Sequence, residues 1–331
     1  MEYTRLGNSG LKVSKVILGA MSYGSRSWQD WILEEEEALP LLEHAYKADI
    51  YSHGRSEEII GKALTKYNIP RERVVILSKC YFPTNPEQAK HPDLAKSNTD
   101  ELMINRQGLS RKHIFDAVDA SVKRLGTYID VLQIHRLDQE TPKEEIMKAL
   151  HDVVESGKVR YIGASSMAAW EFQALQNIAD KHGWTKFISM QNFYNLVYRE
   201  EEREMIPYCR ATGIGLIPWS PLHRGILARP WNDRSSARAE NDRIIDTIRK
   251  RETDVDKVIV DRVEEVAKKH DISMATVATA WCLSKEGVNP IIGLSSKERI
   301  NQACEALQFK LSEEDVKYLE EPYQPKLVFG H

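Results

Sequence analysis

The chain has 331 residues, of which 29% are charged, and its formal net charge is -3. Acidic and basic residues are interspersed, which argues against a nucleic-acid footprint and against a polybasic membrane patch. No apolar run approaches the roughly 18 residues of a membrane span. We therefore expect a cytoplasmic protein that acts on a small molecule, without nucleic acid or membrane as a partner, and the sequence does not predict its oligomeric state.

The four cysteines are widely separated, at positions 80, 209, 282 and 304. None forms a Cys-x-x-Cys pair, so a disulfide framework and a structural zinc site are both disfavoured. The sequence also lacks a His-Glu-x-x-His motif or an equivalent metal-binding spacing. We expect a reduced protein without a metal.

Short β-branched apolar runs alternate along the chain with longer stretches of helical period. Such runs suit strands that are buried on both faces, and the segments between them place apolar residues three and four apart. The alternation predicts a parallel sheet with crossover helices. The predicted strands are 15–20, 74–80, 131–137, 161–166, 187–192, 214–220 and 289–296.

A hairpin is predicted ahead of the first of these strands. The stretch "YTRLGNSGLKVSKV" has an Asn-Ser-Gly turn between two short strands. Parallel barrels of this size fold as one domain, so residues 1–331 are predicted to form a single domain. The fold class is α/β, and the architecture is a (β/α)8 TIM barrel with an N-terminal β-hairpin.

The second barrel strand is the difficulty, because the seven runs leave it unassigned. It should lie within "HAYKADIYSHGRSEEIIGKAL" (44–64), between helices predicted around 36–47 and 56–66. Only Ala48, Asp49 and Ile50 separate Lys47 from Tyr51. A strand needs about five residues and its preceding loop at least two, so the second strand is predicted to be shortened or missing.

Eight blocks of the sequence, taken in order, resemble the aldo-keto reductases, in particular the branch of fungal aryl-alcohol dehydrogenases and versiconal-hemiacetal-acetate-type reductases. The resemblance runs nearly end to end and implies a barrel that binds NADPH and reduces carbonyl compounds to alcohols. The blocks are "YTRLGNSGLKVSKVILGAMSYG", "ADIYSHGRSEEIIGKAL", "VVILSKC", "VLQIHR", "GKVRYIGASS", "MQNFYNL", "GIGLIPWSPLHRGILARP" and "PIIGLSSKERINQA".

The resemblance implies three catalytic residues, Tyr51, Lys79 and His135. Hydride transfer builds negative charge on the carbonyl oxygen, so Tyr51 would supply a proton to it. A nearby Lys79 ammonium would favour the phenolate, and His135 would orient the carbonyl.

The family's fourth catalytic residue, an Asp that pairs with the Lys, has no match here. Asp49 lies two positions from Tyr51 and is not assigned that role. About eight residues are missing relative to the family pattern, roughly one strand and its loop. We therefore expect weakened or absent turnover.

Three explanations for the short segment stay open. The chain is naturally shortened and unwinds the preceding helix to form the strand, or a deletion or misplaced splice junction removed the segment, or residues are missing from the written sequence. A core strand is seldom the mobile part of a barrel, which disfavours the third explanation.

The resemblance also assigns a cofactor site for NADPH. Two cationic side chains near a helix N-terminus favour the 2′-phosphate of NADPH over NADH. Trp28, Trp31 and Trp231 have core or loop interpretations as good as a role in an aromatic substrate pocket. The cofactor residues are Gly19, Ala20, Met21, Ser165, Ser166, Gln191, Trp219, Ser220, Leu222, Gly225, Ser295, Ser296, Lys297, Arg299, Gln302 and Ala303.

Two other classes of protein are alternatives to the reductase. A cofactor-binding barrel without turnover, comparable to the potassium-channel β subunits of this fold, is favoured by the missing Asp and disfavoured by the retained Tyr51, Lys79 and His135. A barrel lyase or hydrolase is weaker, since it would need clustered carboxylates at strand ends. Without the eight blocks, a Tyr, a Lys and a His at strand ends are ordinary rim residues.

Overall fold

A computed structural model describes residues 2–27, 29–45, 54–83, 104–233, 235 and 250–329. The strands are β1 (Tyr3–Arg5), β2 (Lys12–Ser14), β3 (Ile17–Gly19), β4 (Leu77–Cys80), β5 (Ile129–Ile134), β6 (Val159–Ser165), β7 (Phe187–Gln191), β8 (Gly215–Leu216) and β9 (Ile291–Gly293). The α-helices are α1 (Glu35–Ala45), α2 (Gly54–Lys66), α3 (Arg111–Leu125), α4 (Lys143–Glu155), α5 (Ala169–His182), α6 (Met205–Thr212), α7 (Asp254–His270), α8 (Met274–Ser284), α9 (Lys297–Glu305) and α10 (Glu313–Glu320).

The seven strands β3 to β9 that the described residues contain form a curved parallel wall. Strands β4 to β8 pair in chain order, and β9 pairs with β3. Single bridges from Leu216 to Val288 and from Trp219 to Ile291 join β8 to β9. The predicted (β/α)8 barrel is confirmed. The predicted shortening of its second strand falls on residues 46–53, which lie outside the described residues.

Burial on both faces explains why the central strands read as unbroken apolar runs. All six residues of β5 are buried, and α3, α4 and α5 cover the outside of the wall with side chains such as Val118, Leu150 and Phe172. Burying a large aliphatic side chain of this kind contributes about 1.5–3 kcal/mol. The wall therefore holds its rim rigidly.

The hairpin β1–β2 closes the amino end of the barrel, as predicted. Leu6 is fully buried against the first residues of the strands, including Ile17, Leu77 and Ile291. The left-handed residue of the turn is Gly7, at φ +58°, and a Cβ there would lie 2.3 Å from the Gly213 carbonyl oxygen. Only glycine permits this approach, so the hairpin is seated on the loop before β8.

Candidate active site

The carboxyl ends of the seven described barrel strands form one rim, and most predicted site residues lie on it. Parallel barrels place their functional groups at this end. Lys79 is the penultimate residue of β4, His135 follows β5, and Ser165 and Gln191 end β6 and β7. Strand order therefore brings together residues that are up to 112 positions apart.

Lys79 and His135 occupy neighbouring positions on this rim. Lys79 pairs in register with Gln133 of β5, and the His135 amide donates to the Cys80 carbonyl oxygen at 2.9 Å. Burial, together with the charge of Arg136, holds the pKa of Lys79 well below its usual range. A lowered pKa means that this buried amine holds its proton, and therefore its positive charge, less strongly than an exposed lysine does.

An aromatic wall flanks His135 that sequence reasoning missed. The Phe82 ring meets the His135 imidazole edge-on, with centroids 4.8 Å apart, and Tyr81 meets Phe82 at 5.0 Å. Tyr81 and Phe82 follow Lys79 by two and three positions in the chain, which is the signal that would have found them. Edge-to-face packing fixes the imidazole plane beside the rim.

Four predicted cofactor residues are linked by hydrogen bonds. The Ser165 hydroxyl donates to the Gln191 carbonyl oxygen at 2.8 Å, and the Ser166 amide donates to the same oxygen at 3.2 Å. The Trp219 indole N–H donates to the Ser166 hydroxyl at 3.3 Å. The ends of β6 and β7 and the loop after β8 thus form one connected patch.

Buried polar atoms without partners test whether this patch fits a nicotinamide. The Gln191 amide donates to Gln133 Oε1 at 3.3 Å, but Gln133 Nε2 and Asn192 Oδ1 are buried without a hydrogen-bond partner among the described residues. Buried orphans of this kind are uncommon. A carboxamide offers both an acceptor and a donor, so one donor and one acceptor left over here fit that group.

Trp219 is held in a plane suited to stacking. Its indole stacks on Phe193, with centroids 4.5 Å apart and an interplanar angle of 27°. Phe193 also stacks on His223 and contacts Phe329 near the end of the chain. The Phe329 amide donates to the Tyr198 hydroxyl at 2.9 Å, so the tail is anchored beside the predicted nicotinamide stack.

The loop after β8 carries backbone strain. Ser220, His223, Arg224 and Gly225 have φ values of +53°, +46°, +57° and +100°, and only the last is a glycine. Left-handed conformations are uncommon for other residues and cluster where a loop serves a ligand. The loop is the one predicted to lie under the cofactor pyrophosphate, together with Leu222, which is partly buried.

His223 in this loop was missed from sequence. It is buried, its Nδ1 has no partner among the described residues, and burial first, then Lys326 and Arg224, lowers its pKa to about 3. The imidazole is therefore neutral. Its signal in the sequence was its position inside "SPLHRG", between three predicted cofactor residues.

Helix α9 begins at the rim after β9. Ser296 caps the helix by accepting from the Arg299 amide at 3.3 Å, and the Arg299 guanidinium donates to the Ser295 hydroxyl at 2.5 Å. Lys297 and Arg299 are exposed, so both cations reach solvent where a phosphate would approach. Helix N-termini favour anions, which fits the predicted 2′-phosphate contact.

The remaining predicted cofactor residues have different surroundings. A Cβ on Gly19 would lie 3.0 Å from the Ile291 side chain, so this glycine permits close packing of β3 on β9. Ala20 and Met21 follow in a 3₁₀ turn, Ala20–Ser22. Gln302 is partly buried on α9, whereas Ala303 is buried in the core behind that helix.

The predicted aromatic pocket stays a prediction. Trp31 is partly buried, and Trp231 is partly buried against the main core. Trp28 and the predicted proton donor Tyr51 lie outside the described residues.

Among the described residues, no group of three or more His, Cys, Asp or Glu side chains is arranged to hold a metal ion. No described helix combines the length and apolarity that crossing a bilayer requires.

The fold and its rim define a class, and comparison with known proteins places the chain in it. Residues 15–324 match the profile of the aldo/keto reductase family. The chain belongs to this family of oxidoreductases, which act on small molecules with nicotinamide cofactors.

Relatives of high identity carry names from the same branch. Versiconal hemiacetal acetate reductase of Aspergillus parasiticus is 63% identical, over 99% of this chain and 98% of the relative. A Schizosaccharomyces pombe protein, named provisionally as an aryl-alcohol dehydrogenase, is 56% identical over 99% of this chain and 97% of its own length. Aldo-keto reductase AMT2 of Alternaria alternata is 49% identical over 99% and 93%.

The alignments with these relatives are longer than this chain. The alignment with the Aspergillus parasiticus relative covers 338 positions, whereas this chain has 331 residues, so at least seven positions have no residue in this chain. The predicted absence of about eight residues before Tyr51 agrees with that number in size. The alignment lengths do not locate the gap, so its position stays a prediction.

Proposed function

We propose that this chain is an NADPH-dependent reductase that converts aldehydes or ketones, aromatic or derived from secondary metabolism, to alcohols. The observation that carries the proposal is the hydrogen-bonded patch of Ser165, Ser166, Gln191 and Trp219 on the same rim as Lys79 and His135. The name of the Aspergillus parasiticus relative supports a secondary-metabolite carbonyl.

Bound NADPH would supply the hydride that reaches the carbonyl carbon. The residues of this chain would handle the charge that develops on the carbonyl oxygen. Tyr51 would donate its phenolic proton to that oxygen, and the alcohol product would then hold both the hydride and the proton. His135, fixed by Phe82, would direct the oxygen toward this proton.

Lys79 would act on Tyr51 through its charge state. A phenol with a reference pKa near 10 releases a proton slowly at neutral pH, and a neighbouring cation lowers that barrier. Because burial and Arg136 depress the pKa of Lys79, its amine carries a positive charge less readily than an ordinary lysine does. It would therefore lower the barrier to proton release from Tyr51 less effectively. This supports slower turnover than in a relative whose Asp stabilises the ammonium.

Binding of the cofactor would use the rim on both sides of β9. Gln133 Nε2 and Asn192 Oδ1 would meet the carboxamide, and Trp219 would stack on the nicotinamide ring. Ser220, Leu222 and Gly225 would lie under the pyrophosphate. Ser295, Ser296, Lys297 and Arg299 would hold the 2′-phosphate, which is the basis for proposing NADPH over NADH.

A second candidate is a barrel that holds NADPH with little or no turnover and acts as a binding or regulatory protein. The alignment gap of at least seven positions is the observation that favours it. Loss of a strand beside Tyr51 would displace the proton donor and leave the cofactor rim on β6 to β9 intact. The location proposed for either candidate is cytoplasmic.

One experiment separates the two candidates. NADPH binding is measured by fluorescence titration, and 4-nitrobenzaldehyde and related aromatic aldehydes are then added to follow oxidation of the cofactor. Binding with turnover supports the reductase, and binding without turnover supports the second candidate. Absence of binding contradicts both proposals.

A matched insertion variant tests the role of the gap. The variant receives, before Tyr51, the residues that the Aspergillus parasiticus relative has at its unmatched positions. If the gap impairs the site, kcat rises at least tenfold and NADPH affinity changes little. An insertion of Gly and Ser of equal length is the control, because it restores length without the family Asp.

A further inference from the structure

Three other partly buried arginines each bind a carboxylate group, and Arg136 differs from them. Arg71 binds Asp130 at 2.5 Å, Arg124 binds Glu57 at 2.7 Å, and Arg199 binds Glu202 at 2.7 Å. Arg136 donates only to the His135 carbonyl oxygen, at 2.6 Å, and has no carboxylate partner among the described residues. The charge of Arg136 is thus not paired with any described carboxylate, in contrast to the charges of these three arginines.

The nearest carboxylate along the chain is occupied elsewhere. Asp138 accepts from the Leu109 amide at 2.7 Å, from the Thr141 hydroxyl at 2.7 Å and from the Glu140 amide at 3.0 Å. These three hydrogen bonds tie Asp138 to the loops that follow β4 and β5. Asp138 therefore makes no strong interaction with Arg136. The pKa of Arg136 is lowered by burial and raised only by Tyr81.

Leaving a guanidinium partly buried without a carboxylate is costly. A cation removed from water loses several kcal/mol of hydration, which an anionic partner normally offsets. Arginine does not lose its proton under these conditions, so the charge persists. Ionisable groups in strongly perturbing surroundings cluster at functional sites, where a ligand can supply the missing partner.

The position of Arg136 is on the reacting rim. It follows His135 directly, its charge contributes to the lowered pKa of Lys79, and it lies within electrostatic range of Tyr81. His135 and Tyr81 both contact Phe82, so a cation and an aromatic wall flank the same imidazole. A flat ring against Phe82 would bring its substituent toward the guanidinium.

We propose that Arg136 is a specificity-determining residue that binds an oxyanion, a carboxylate or ionised phenol, carried by the carbonyl substrate. The guanidinium fork matches the two oxygens of a carboxylate, whereas a neutral ester offers no charge to it. The inference rests on the proposed reductase function. It narrows the substrate class to carbonyl compounds with an acidic group about one aromatic ring away from the carbonyl.

Paired substrates test the proposal. The values of kcat/KM for 4-carboxybenzaldehyde and for methyl 4-formylbenzoate are measured, together with the 3-substituted pair, for the natural chain and for Arg136→Met. The ratio of acid to ester is expected to fall at least tenfold in the variant, mainly through KM of the acid. Effects that act through Lys79 alter both substrates and cancel in the ratio.

Two further variants complete the set. Arg136→Lys keeps the charge without the planar fork, and we expect it to retain part of the preference. Arg160→Met is the matched control, because Arg160 stacks on Tyr128 at 4.1 Å near the amino ends of β5 and β6. The control should leave the ratio at its natural value.

A measurement without turnover separates this inference from the proposed function. Calorimetric titration with 4-(hydroxymethyl)benzoate and with its methyl ester, in the presence of NADP+, compares the acid with the neutral product. Tighter binding of the acid, lost in Arg136→Met, supports the inference even where no aldehyde is reduced. Equal affinities, absent binding of both, or an equal fall of kcat/KM for acid and ester overturn it.

Discussion

The barrel has two unlike sides. From β5 to β9 the wall is continuous, most strand residues are buried, and the cofactor patch of Ser165, Gln191 and Trp219 is joined by direct hydrogen bonds. On the other side, β3 and β4 have three and four residues and flank residues 46–53, where the predicted proton donor Tyr51 lies. Under the function proposed above, cofactor binding and proton transfer are therefore tasks of different regions, and they can be lost separately.

The largest effect is expected on the catalytic side. Tyr51→Phe removes the proposed proton donor, and loss of a general acid typically lowers kcat by about 10²–10⁴-fold. NADPH affinity should stay within a few-fold, since Tyr51 is not among the residues proposed to bind the cofactor. Steady-state kinetics measure the fall in kcat, and fluorescence titration measures the NADPH affinity.

Tyr128→Phe is the matched control for that variant. Tyr128 lies at the amino end of β5, between Arg71 at 3.9 Å and Arg160 at 4.1 Å, away from the rim. A similar loss of kcat in both variants would contradict the role given to Tyr51.

The closed amino end of the barrel supports both sides equally. Leu6→Ala removes a fully buried side chain from the cluster beneath the strands and should lower the free energy of unfolding by about 2–5 kcal/mol. Urea unfolding measures this loss. Leu327→Ala, at a position that is 82% exposed, should change it by less than about 0.5 kcal/mol. Equal losses would show that the hairpin is not part of the core.

The continuous side contains adjacent carboxyl groups with opposite behaviour. Burial raises the pKa of Glu201 to about 7, only partly offset by the hydrogen bond from Asn192. For Glu200 burial acts in the same direction, but hydrogen bonds from Tyr323 and Lys326, and the nearby Arg203, outweigh it and lower the pKa. The pair thus allows a test in which each residue is the control for the other.

Between pH 4.5 and 7 the folded chain binds more protons at Glu201 than the unfolded chain does. Stability therefore falls as pH rises through this window, by about 3 kcal/mol at 1.36 kcal/mol for each pKa unit. Glu201→Gln should remove this decline in stability, so the variant should unfold at a higher temperature than the natural chain at pH 8. Glu200→Gln should be less stable than the natural chain at pH 8. This difference in stability should disappear at acidic pH. Thermal unfolding at pH 5 and pH 8 measures both, and a Glu201→Gln variant less stable than the natural chain at pH 8 would contradict the assignment.

The smallest effect is expected at the stacking residue. Trp219→Ala should weaken NADPH binding by about ten- to a hundredfold, as removal of one aromatic stacking partner costs about 1–3 kcal/mol. Trp219→Phe should recover most of this affinity. Trp170→Ala, at a tryptophan that is 63% exposed on α5, is the control in the same titration. Unchanged affinity in Trp219→Ala would remove Trp219 from the cofactor site.

Strand positions were predictable from sequence because burial on both faces leaves a strong apolar signal. Their limits were less so. The run 214–220 yields only Gly215–Leu216, because Pro218 lacks an amide hydrogen and cannot continue the ladder. Strand β5 begins two residues before its predicted start, since Asp130 is buried by accepting from Arg71 and from the Ile76 amide. A charged residue hides a strand from a search for apolar runs.

Site residues also differ in whether the sequence predicts them. Lys79, His135 and Gln191 were predicted because they lie in the blocks that carry the family resemblance, and the structure places each at the end of a strand. Arg136 and Asn192 were missed because their importance lies in partners that they lack, and a one-dimensional sequence does not reveal an unsatisfied charge or amide. Those features depend on which distant carboxyl groups, such as Asp138, are already occupied.

The anchored tail has a practical consequence for handling the protein. Phe329 lies against Phe193 beside Trp219, while Tyr3–Arg5 belongs to the hairpin at the opposite end of the barrel. An affinity tag or surface tether added to the tail would crowd the entrance to the proposed cofactor site. One added before the hairpin would leave that entrance facing the solution, and a fluorophore placed near Phe329 would respond to its occupancy.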